Sequence, residues 1–264
     1  MGTVLSRPRG YLLDLDGTLY SGGAAIPGAV ATLDRLRRQH VPVRLVTNTT
    51  SRSRVMLVER LRGYGFEVST EDVFTATLAG SVLARTAGYR CVAPFVPEPA
   101  LPDMAGLELA GGTSNHPRGC VPQAVMVGDL GERWNYALLQ EAFEYIMAGA
   151  ELIALSRDRY WLNQERLALD AGPFVAALEF ATGKSAMVAG KPSPGFYAAA
   201  LQSLEVEPAG AVAMVGDDLW SDVEGAQRAG LQGWLVRTGK YRETALRESG
   251  IRPDRVLESV AELG

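Results

Sequence analysis

The sequence predicts an α/β fold, in which a parallel sheet carries helices on both faces and a second, smaller α/β unit is inserted into the chain. Short runs of apolar and β-branched residues alternate with segments of helical periodicity, as is typical of βαβ units. The chain has 264 residues, of which 47% are hydrophobic and 21% charged. This is ordinary globular composition, and the length suffices for one large domain that carries an insertion.

Apolar runs, helical stripes and capping residues predict the elements at the two ends of the chain. Gly63 and Gly230 are the expected helix stops. In order, the predicted elements are a strand from Tyr11 to Leu15, a helix from Ala29 to Gln39, a strand over 41–48, a helix capped by Ser51 that runs to Arg62, a strand over 211–216, a helix capped by Ser221, and a strand over 233–236.

The middle of the chain predicts its own α/β unit. It contains three short apolar runs, CVAPFV, AVMVG and ELIAL, and a long amphipathic helix over 134–149. The helix carries an apolar stripe that should form part of this unit's core. We therefore predict a main domain from residues 1–78 and 187–264, with residues 79–186 as the insertion.

Charge and composition exclude several function classes. The net charge is −4 and the sequence pI is about 5.4, and no basic run could follow nucleic acid or an anionic membrane. Cys91 and Cys120 have neither CxxC spacing nor neighbouring histidines, so we expect neither structural zinc nor a disulfide framework. No apolar run is long enough for a membrane span and no signal peptide is evident. We expect a cytoplasmic protein in a reducing compartment.

Two carboxylates interrupt the first predicted strand at its carboxyl end. Asp14 and Asp16 point to the same side if the strand continues through Leu15. In a partly buried site they would repel, which raises a carboxyl pKa or requires a cation between them. An EF-hand is excluded because Gly17 follows Asp16 directly, and a solvated Asp-Gly turn remains the simpler alternative for this stretch alone.

Three further strand-end stretches favour a shared site. LVTNTTSRS ends a strand at Thr47 and Asn48, which suits an anion. GKPSP places Lys191 in a loop, and VGDDLWSD ends another strand in Asp217, Asp218 and Asp222. Open parallel sheets bind ligands at the carboxyl ends of their strands, and four such stretches in this order argue against coincidence.

Together, DLDGTLY, VTNTT, GKPSP and GDDLWSD resemble the four signature motifs of the haloacid dehalogenase-like phosphatases. YSGGAAIPGA and PFVAALEFATG are similar to the NagD-like branch, which has a large inserted α/β cap on a Rossmann-like core. VTNTTSRSR and VRTGKYR most resemble the group of phospholysine phosphohistidine inorganic pyrophosphate phosphatases. The resemblance covers nearly the whole chain.

This resemblance implies phosphoryl transfer with Mg²⁺ as cofactor. Asp14 would be the nucleophile and Asp16 the general acid and base. Mg²⁺ would be held by the Asp14 carboxylate, the Asp16 main-chain carbonyl and the Asp217 carboxylate, with Asp218 and Asp222 behind them. The phosphate-binding groups would be Thr47, Asn48 and Lys191.

The inserted unit should select the small phosphorylated substrate by closing over the strand ends. The candidate substrate contacts lie in its strand-end loops and are Asp129, Arg133, Trp134, Arg157, Asp158 and Asp170. We expect no nucleic-acid or membrane partner, and a homodimer through the cap is the candidate assembly. His40 and His116 lie away from the motifs, which gives a histidine mechanism little support.

Two other functions remain open at this stage. A phosphomutase or phosphotransferase would share the covalent intermediate and differ in what the cap admits. A non-catalytic metabolite-binding protein could keep the fold, although intact Asp14, Asp16, Lys191 and Asp217 argue against it. Dehalogenation is disfavoured, because displacing a halide does not need the acid and base that Asp16 would provide.

Overall fold

The structure is a computed structural model that describes residues 7–114, 119–163 and 166–263. Its α-helices are α1 Ala29–Arg38, α2 Arg54–Gly63, α3 Ala76–Thr86, α4 Tyr136–Met147, α5 Gly172–Thr182, α6 Pro194–Leu204, α7 Gly225–Arg228 and α8 Glu243–Ser249. None of the helices in the described ranges is long and apolar enough to cross a membrane.

The strands follow the predicted alternation with the helices. In chain order they are β1 Gly10–Asp14, β2 Tyr20–Ser21, β3 Ala24–Ala25, β4 Val43–Thr47, β5 Val73–Thr75, β6 Cys91–Phe95, β7 Glu108–Leu109, β8 Ala124–Val127, β9 Glu151–Ala154, β10 Tyr160–Asn163, β11 Arg166–Leu169, β12 Met187–Val188, β13 Val212–Gly216, β14 Gln232–Val236 and β15 Arg255–Leu257.

The described residues divide into two compact units. Unit 1 holds those up to Thr47, Val55–Phe74 and those from Lys191 onward, and unit 2 holds Asn48–Arg54 and those within Thr75–Gly190. Unit 2 is thus interrupted by residues of unit 1, because the short segment after β4 packs with the inserted residues.

Unit 1 is built on a sheet with the strand order β15-β14-β13-β1-β4-β5. The strand β1 pairs in parallel with β13 on one side and with β4 on the other. Tyr11 and Leu13 point to one face, where they join a core with Leu33 of α1 and Leu57 of α2. On the opposite face, the helices α6 and α7 pack against each other. The predicted α/β fold with helices on both faces is therefore confirmed.

Unit 2 has a second parallel sheet, with the order β12-β9-β8-β6-β7. Ile146 of α4 and Val175 of α5 pack with Val125 and Val127 on one face, while Val92 and Met126 belong to a separate core cluster on the other. The strands β10 and β11 form an antiparallel hairpin. The long helix predicted over 134–149 is observed as α4, slightly shorter at both ends.

Three local predictions differ from the structure. β1 ends at Asp14, because the Leu15 carbonyl turns to accept the N–H groups of Thr18, Leu19 and Tyr20. The helical segment near Ser221 starts earlier, as a π-helical turn over Leu219–Glu224. Its capping side chain is that of Asp218, which accepts the N–H groups of Trp220 and Ser221.

The start of α2 was also misplaced. The helix begins at Arg54 rather than directly after Ser51. The main-chain N–H of Arg54 donates to the carboxylate of Asp103, at 3.1 Å from Oδ1, and the Thr75 hydroxyl donates to Oδ2 at 2.7 Å. A distant carboxylate satisfies the first N–H group, so a local capping residue is not needed.

The expectation that the cysteines remain unpaired was wrong. Cys91 and Cys120 form a disulfide with their Cα atoms 6.2 Å apart. The Gln123 N–H donates to the Cys91 carbonyl at 2.8 Å, which brings the chain before β8 beside the start of β6. The inference of a reducing compartment rested on unpaired cysteines and loses that support, and the cytoplasmic location stays a prediction.

Candidate active site

The candidate site lies at the carboxyl ends of the central strands of unit 1. Asp14 is the last residue of β1, Thr47 is the last of β4, and Asp217 directly follows β13. Since these three strands are adjacent and parallel, their ends meet at one edge of the sheet. Two further residues of the same unit complete the group: Lys191, from the loop before α6, and Asp222, from the π-helical turn after β13.

Lys191 holds two of the carboxylates together. Its Nζ lies 2.6 Å from Asp14 Oδ1 and 2.7 Å from Asp222 Oδ1. All three side chains are buried. Desolvation opposes the charge on Lys191, but the charges of Asp14 and Asp222 outweigh it and raise the pKa of Lys191 well above its usual value. Lys191 is therefore a permanent cation in this site.

Three carboxylates converge closely enough to hold a metal ion. Oxygen atoms from Asp14, Asp217 and Asp222 lie within 4.8 Å of one another, and all three residues are buried. Burial and the charges of Asp14 and Asp222 raise the pKa of Asp217 to about 8. Burial, with the charges of Asp14 and Asp218, raises the pKa of Asp222 to about 7 against the opposing effect of Lys191.

The donor set fits Mg²⁺. Carboxylate oxygens are the ligands that hard divalent cations prefer, and the raised pKa values show that Lys191 does not compensate the cluster's negative charge. A divalent cation would lower those pKa values and relieve the repulsion.

Asp14 and Asp16 have contrasting environments. Burial raises the pKa of Asp14 despite the nearby Lys191, whereas the side chain of Asp16 is exposed. The turn after β1 breaks the strand geometry that would have aimed both side chains the same way. A buried carboxylate held by a cation, followed two residues later by an accessible one, suits a nucleophile and a proton-transfer group.

Two glycines allow the chain to approach Asp217. Gly17 has φ +86° and Gly239 has φ +59°, and a Cβ on either would lie 2.0 Å from Asp217 Oδ2. The main-chain N–H of Lys240 donates to that same oxygen at 2.6 Å. The loop after β14 thus fixes the orientation of the Asp217 carboxylate.

Lys240 and Gly239 lie within VRTGKYR, a stretch that indicated the family but gave neither residue a role. Lys240 Nζ also lies 3.0 Å from Asp218 Oδ2. Although burial raises the pKa of Asp218, the charge of Lys240 and the N–H of Ser221 reverse this effect and lower it. The available signal was compositional, because only three of the 26 basic residues are lysines.

Asn48 is assigned to unit 2 rather than to unit 1. Its side chain lies against Gly190, where a Cβ would approach Asn48 Oδ1 to 2.8 Å. Gly190 also belongs to unit 2, and it directly precedes Lys191, with which unit 1 resumes. Thr47, the residue before Asn48, is buried at the end of β4.

The cap candidates lie in different environments within unit 2. The ring of Trp134 is buried and stacks between Phe95 and Phe174, with centroids 5.9 and 4.8 Å away. Arg157 is half-exposed and pairs with Glu179 at 2.7 Å, while Arg133 is exposed and Asp158 half-buried. His116 lies outside the described residues.

Asp129 and Asp170 form hydrogen bonds within unit 2, and both carboxylates accept N–H groups of their own loops. The Asp129 N–H donates to Thr50 Oγ1 at 2.8 Å, which ties the end of β8 to the segment after β4, and the Asp129 carboxylate accepts the Gly131 N–H. Asp170 Oδ1 accepts the N–H of Ala171, the residue before α5.

Two family models match the chain. A haloacid dehalogenase-like hydrolase model matches residues 11–108, and a HAD-hydrolase-like model matches residues 188–263. These ranges contain all four motifs, so the resemblance seen in the sequence is confirmed at the family level.

Individual proteins match over most of their lengths. Haloacid dehalogenase-like hydrolase domain-containing protein 2 of Rattus norvegicus is 43% identical, covering 93% of this chain and 89% of its own. Phospholysine phosphohistidine inorganic pyrophosphate phosphatase of Homo sapiens is 37% identical, with coverage of 99% and 94%. The crystal structure of glycerol phosphate phosphatase from Mycobacterium tuberculosis in complex with magnesium superimposes with a TM-score of 0.83 at 30% identity, covering 100% of this chain and 78% of that one.

Proposed function

Since this chain belongs to the haloacid dehalogenase-like hydrolase family, we propose that it is a Mg²⁺-dependent phosphatase of small phosphorylated metabolites that works through an aspartyl phosphate. One observation carries the proposal: Lys191 bridges Asp14 and Asp222 at a strand edge where Asp217 converges with them. The same family includes phosphatases among this chain's relatives, and one structural neighbour was crystallised with magnesium.

In the first half-reaction, a carboxylate oxygen of Asp14 attacks phosphorus. The bond from phosphorus to the leaving oxygen breaks, and Asp16 donates a proton to that oxygen. Asp14 is fixed by Lys191 at 2.6 Å, which holds the nucleophile in one orientation before attack. The side chain of Asp16 is exposed, so a leaving group that enters the site can reach it.

In the second half-reaction, Asp16 accepts a proton from water as the water attacks phosphorus. The phosphorus–oxygen bond to Asp14 breaks, and inorganic phosphate leaves. Thr47 Oγ1, the Asn48 N–H and the Lys191 ammonium would bind the equatorial phosphoryl oxygens, where negative charge is spread in the transition state.

Mg²⁺ would be held by the carboxylates of Asp14 and Asp217 and by the Asp16 carbonyl, with Asp222 as a further carboxylate of the same cluster. A bound Mg²⁺ would supply positive charge that stabilises the negative charge on the phosphoryl oxygens. The main-chain N–H of Lys240 would keep the Asp217 carboxylate in place, and Asp218 would cap the π-helical turn that carries Asp222.

The inserted unit would select the leaving group. This part of the proposal is supported by its position in the chain, between the segment that carries Thr47 and the one that carries Lys191. Exchanging Arg133 or Arg157 for alanine should change the ranking among phosphate esters without changing the Mg²⁺ requirement. Unchanged ranking in both variants would assign selectivity to other residues.

A homodimer through unit 2 remains part of the proposal. Tyr136 and Phe180 are large apolar side chains of α4 and α5 with 80% and 93% of their surface exposed, and such side chains are enriched at protein interfaces. Sedimentation of the wild type and a Phe180→Asp variant tests this, since equal monomeric masses would refute it.

The decisive test of the proposed function is phosphate release from p-nitrophenyl phosphate and a panel of metabolite esters, with Mg²⁺ and with EDTA. We expect release with Mg²⁺, none with EDTA, and recovery when Mg²⁺ is restored. Full activity in chelator would contradict the metal site. Tight substrate binding without release would support a non-catalytic binding protein, and transfer to a second sugar or alcohol would support a phosphotransferase.

A further inference from the structure

Lys240 is fixed beside the carboxylate cluster by its own backbone. Its N–H donates to Asp217 Oδ2 at 2.6 Å. The preceding residue, Gly239, passes so close to the same oxygen that no side chain would fit. The Cα of Lys240 therefore has a defined position at the edge of the site, and its side chain starts from that position.

The side chain of Lys240 is in a different environment from that of Lys191. The Lys191 side chain is 3% exposed and is held between Asp14 and Asp222. The Lys240 side chain is 66% exposed and pairs with Asp218 at 3.0 Å. The charge of Lys240 also acts against the burial that raises the pKa values of Asp14 and Asp217.

The pairing between Lys240 and Asp218 can be exchanged at small cost. Exposed ion pairs contribute about 0–1 kcal/mol, because water screens them and two long side chains lose freedom. An incoming anion could replace Asp218 as the partner of the ammonium group. Lys191 has no such freedom, because removing a buried ammonium from its partners leaves uncompensated buried charge.

The choice of lysine at 240 is itself informative. Arginine supplies nearly all of the positive charge of the chain, and only Lys184, Lys191 and Lys240 are lysines. Two of the three thus lie at the carboxylate cluster. Lysine carries a compact charge on a flexible stem, whereas arginine is a planar fork suited to fixed bidentate pairing. A compact charge on a flexible side chain suits reversible binding of an anionic group of a substrate.

The charge balance identifies the substrates that would need Lys240. Five carboxylates, from Asp14, Asp16, Asp217, Asp218 and Asp222, face the charges of Lys191 and Lys240. Even with a divalent cation bound, a substrate whose leaving group is anionic adds further negative charge. Pyrophosphate carries this charge already when it binds, whereas the nitrophenyl group of p-nitrophenyl phosphate is uncharged until its bond to phosphorus breaks.

We propose that Lys240 binds the anionic leaving group of substrates such as pyrophosphate, and so determines specificity for them. This rests on the proposed phosphatase function. The bond from phosphorus to the bridging oxygen breaks as Asp14 attacks, and Asp16 donates the proton to that oxygen. Lys240 stays protonated throughout and stabilises the departing phosphate by its charge alone.

The test compares kcat/KM for pyrophosphate and for p-nitrophenyl phosphate in the wild type and in Lys240→Gln and Lys240→Arg. Lys184→Gln is the matched control, because Lys184 also forms a partly exposed ion pair, with Glu151 at 3.4 Å in unit 2. We expect Lys240→Gln to lower the ratio of kcat/KM for pyrophosphate to kcat/KM for p-nitrophenyl phosphate at least tenfold. Most of this change should come from a higher KM for pyrophosphate. Lys240→Arg should restore most of the ratio, and Lys184→Gln should leave it at the wild-type value.

Each outcome is decisive. An equal fall in kcat/KM for both substrates would assign the Lys240 side chain to holding Asp217 and would overturn the proposal. Wild-type kcat/KM values for both substrates would overturn it as well. Wild-type hydrolysis of nitrophenyl phosphate without any hydrolysis of pyrophosphate would overturn it as well, while leaving the phosphatase function intact. Failure on every phosphate ester would refute the proposed function instead.

Discussion

At the scale of single residues, Asp14 is the most informative position. It is buried, bonded to Lys191 and unable to ionise without cost, since burial raises its pKa. Under the proposed function, the charge on Asp14 would serve the attack on phosphorus, whereas burial makes the same charge unfavourable for folding.

Asp14→Asn should abolish turnover and leave the fold intact. The amide keeps the shape of the side chain but cannot attack phosphorus, so we expect kcat to fall by roughly 10⁴-fold or more. Because an ionised Asp14 is disfavoured in the folded state, Tm should stay equal or rise. Steady-state kinetics and thermal melts measure both, with Asp34→Asn on α1 as the control. Retained activity would exclude Asp14 as the nucleophile.

The carboxylate cluster should also make stability depend on pH. In the unfolded chain the pKa of these carboxyls is about 3.9. In the folded chain the pKa of Asp217 is raised to about 8 and that of Asp222 to about 7. Between these values the folded chain holds protons that the unfolded chain has released. The free energy of unfolding of the metal-free protein should therefore fall as pH rises from about 4 to about 8.

Thermal melts in EDTA across that pH range measure this effect. Mg²⁺ should raise Tm more at pH 8 than at pH 5, because the ion binds the ionised cluster. Asp217→Asn should flatten the EDTA profile. A Tm that rises with pH in EDTA between 5 and 8 would contradict the burial and repulsion assigned to these residues.

At the scale of elements, short loops after the strands hold the site. The loop after β14 places Gly239 and Lys240 against Asp217, and the turn after β1 places Gly17 there. The strands supply the position of the carboxylates, and these loops supply their orientation. We therefore expect the proposed Mg²⁺ site to depend on the backbone geometry of these loops.

Gly239→Ala tests this requirement. The new Cβ would lie 2.0 Å from Asp217 Oδ2, so the carboxylate must turn away. We expect the Mg²⁺ concentration for half-maximal activity to rise about 10- to 100-fold, as when groups that orient metal ligands are changed. The matched control is Gly250→Ala, whose φ is +72° but whose Cβ position is open. It should lose about 1 kcal/mol of stability with its Mg²⁺ requirement unchanged. Equal Mg²⁺ requirements in both variants would contradict the assigned contact.

The sequence predicted those features that depend on residues close together in the chain. Local signals, namely apolar runs, amphipathic stripes and acidic residues at strand ends, predicted the helices α1 and α4, the carboxylates Asp14, Asp217 and Asp222, and the strands β1, β4, β6, β8, β9, β13 and β14. The Asp103 carboxylate at Arg54, the Asp218 cap, the disulfide and the bond from Lys240 to Asp217 were missed. Except for the Asp218 cap, each of these depends on residues far apart in sequence, for which periodicity and capping patterns carry no information.

At the scale of the whole molecule, the disulfide gives unit 2 a stabilising link of its own. It closes a loop with a sequence separation of 29, for which loop-closure entropy predicts about 3–4 kcal/mol. Adding reductant should therefore lower the free energy of unfolding by up to that amount. Denaturant titrations with and without reductant measure it, and the Cys91→Ser/Cys120→Ser variant should be insensitive to reductant. Two free thiols in the purified native protein would contradict the link.

The two units also differ in the functional residues that they contain. The carboxylates of the proposed metal site and Lys191 belong to unit 1, so we assign the proposed Mg²⁺ dependence and covalent chemistry to that unit. Unit 2 contributes Asn48 and the proposed substrate contacts. The proposed phosphorylation of Asp14 is common to every substrate.

The most direct test is to trap the covalent intermediate. Asp16→Ala removes the base that activates water, so the phosphorylated enzyme should accumulate with p-nitrophenyl phosphate, whose leaving group needs little protonation. Acid quenching and peptide mass spectrometry should then find one phosphoryl group on Asp14, only when Mg²⁺ is present, and none in the Asp14→Asn/Asp16→Ala variant. Nitrophenol release by Asp16→Ala without a phosphoryl group on Asp14, or with one on another residue, would contradict the account.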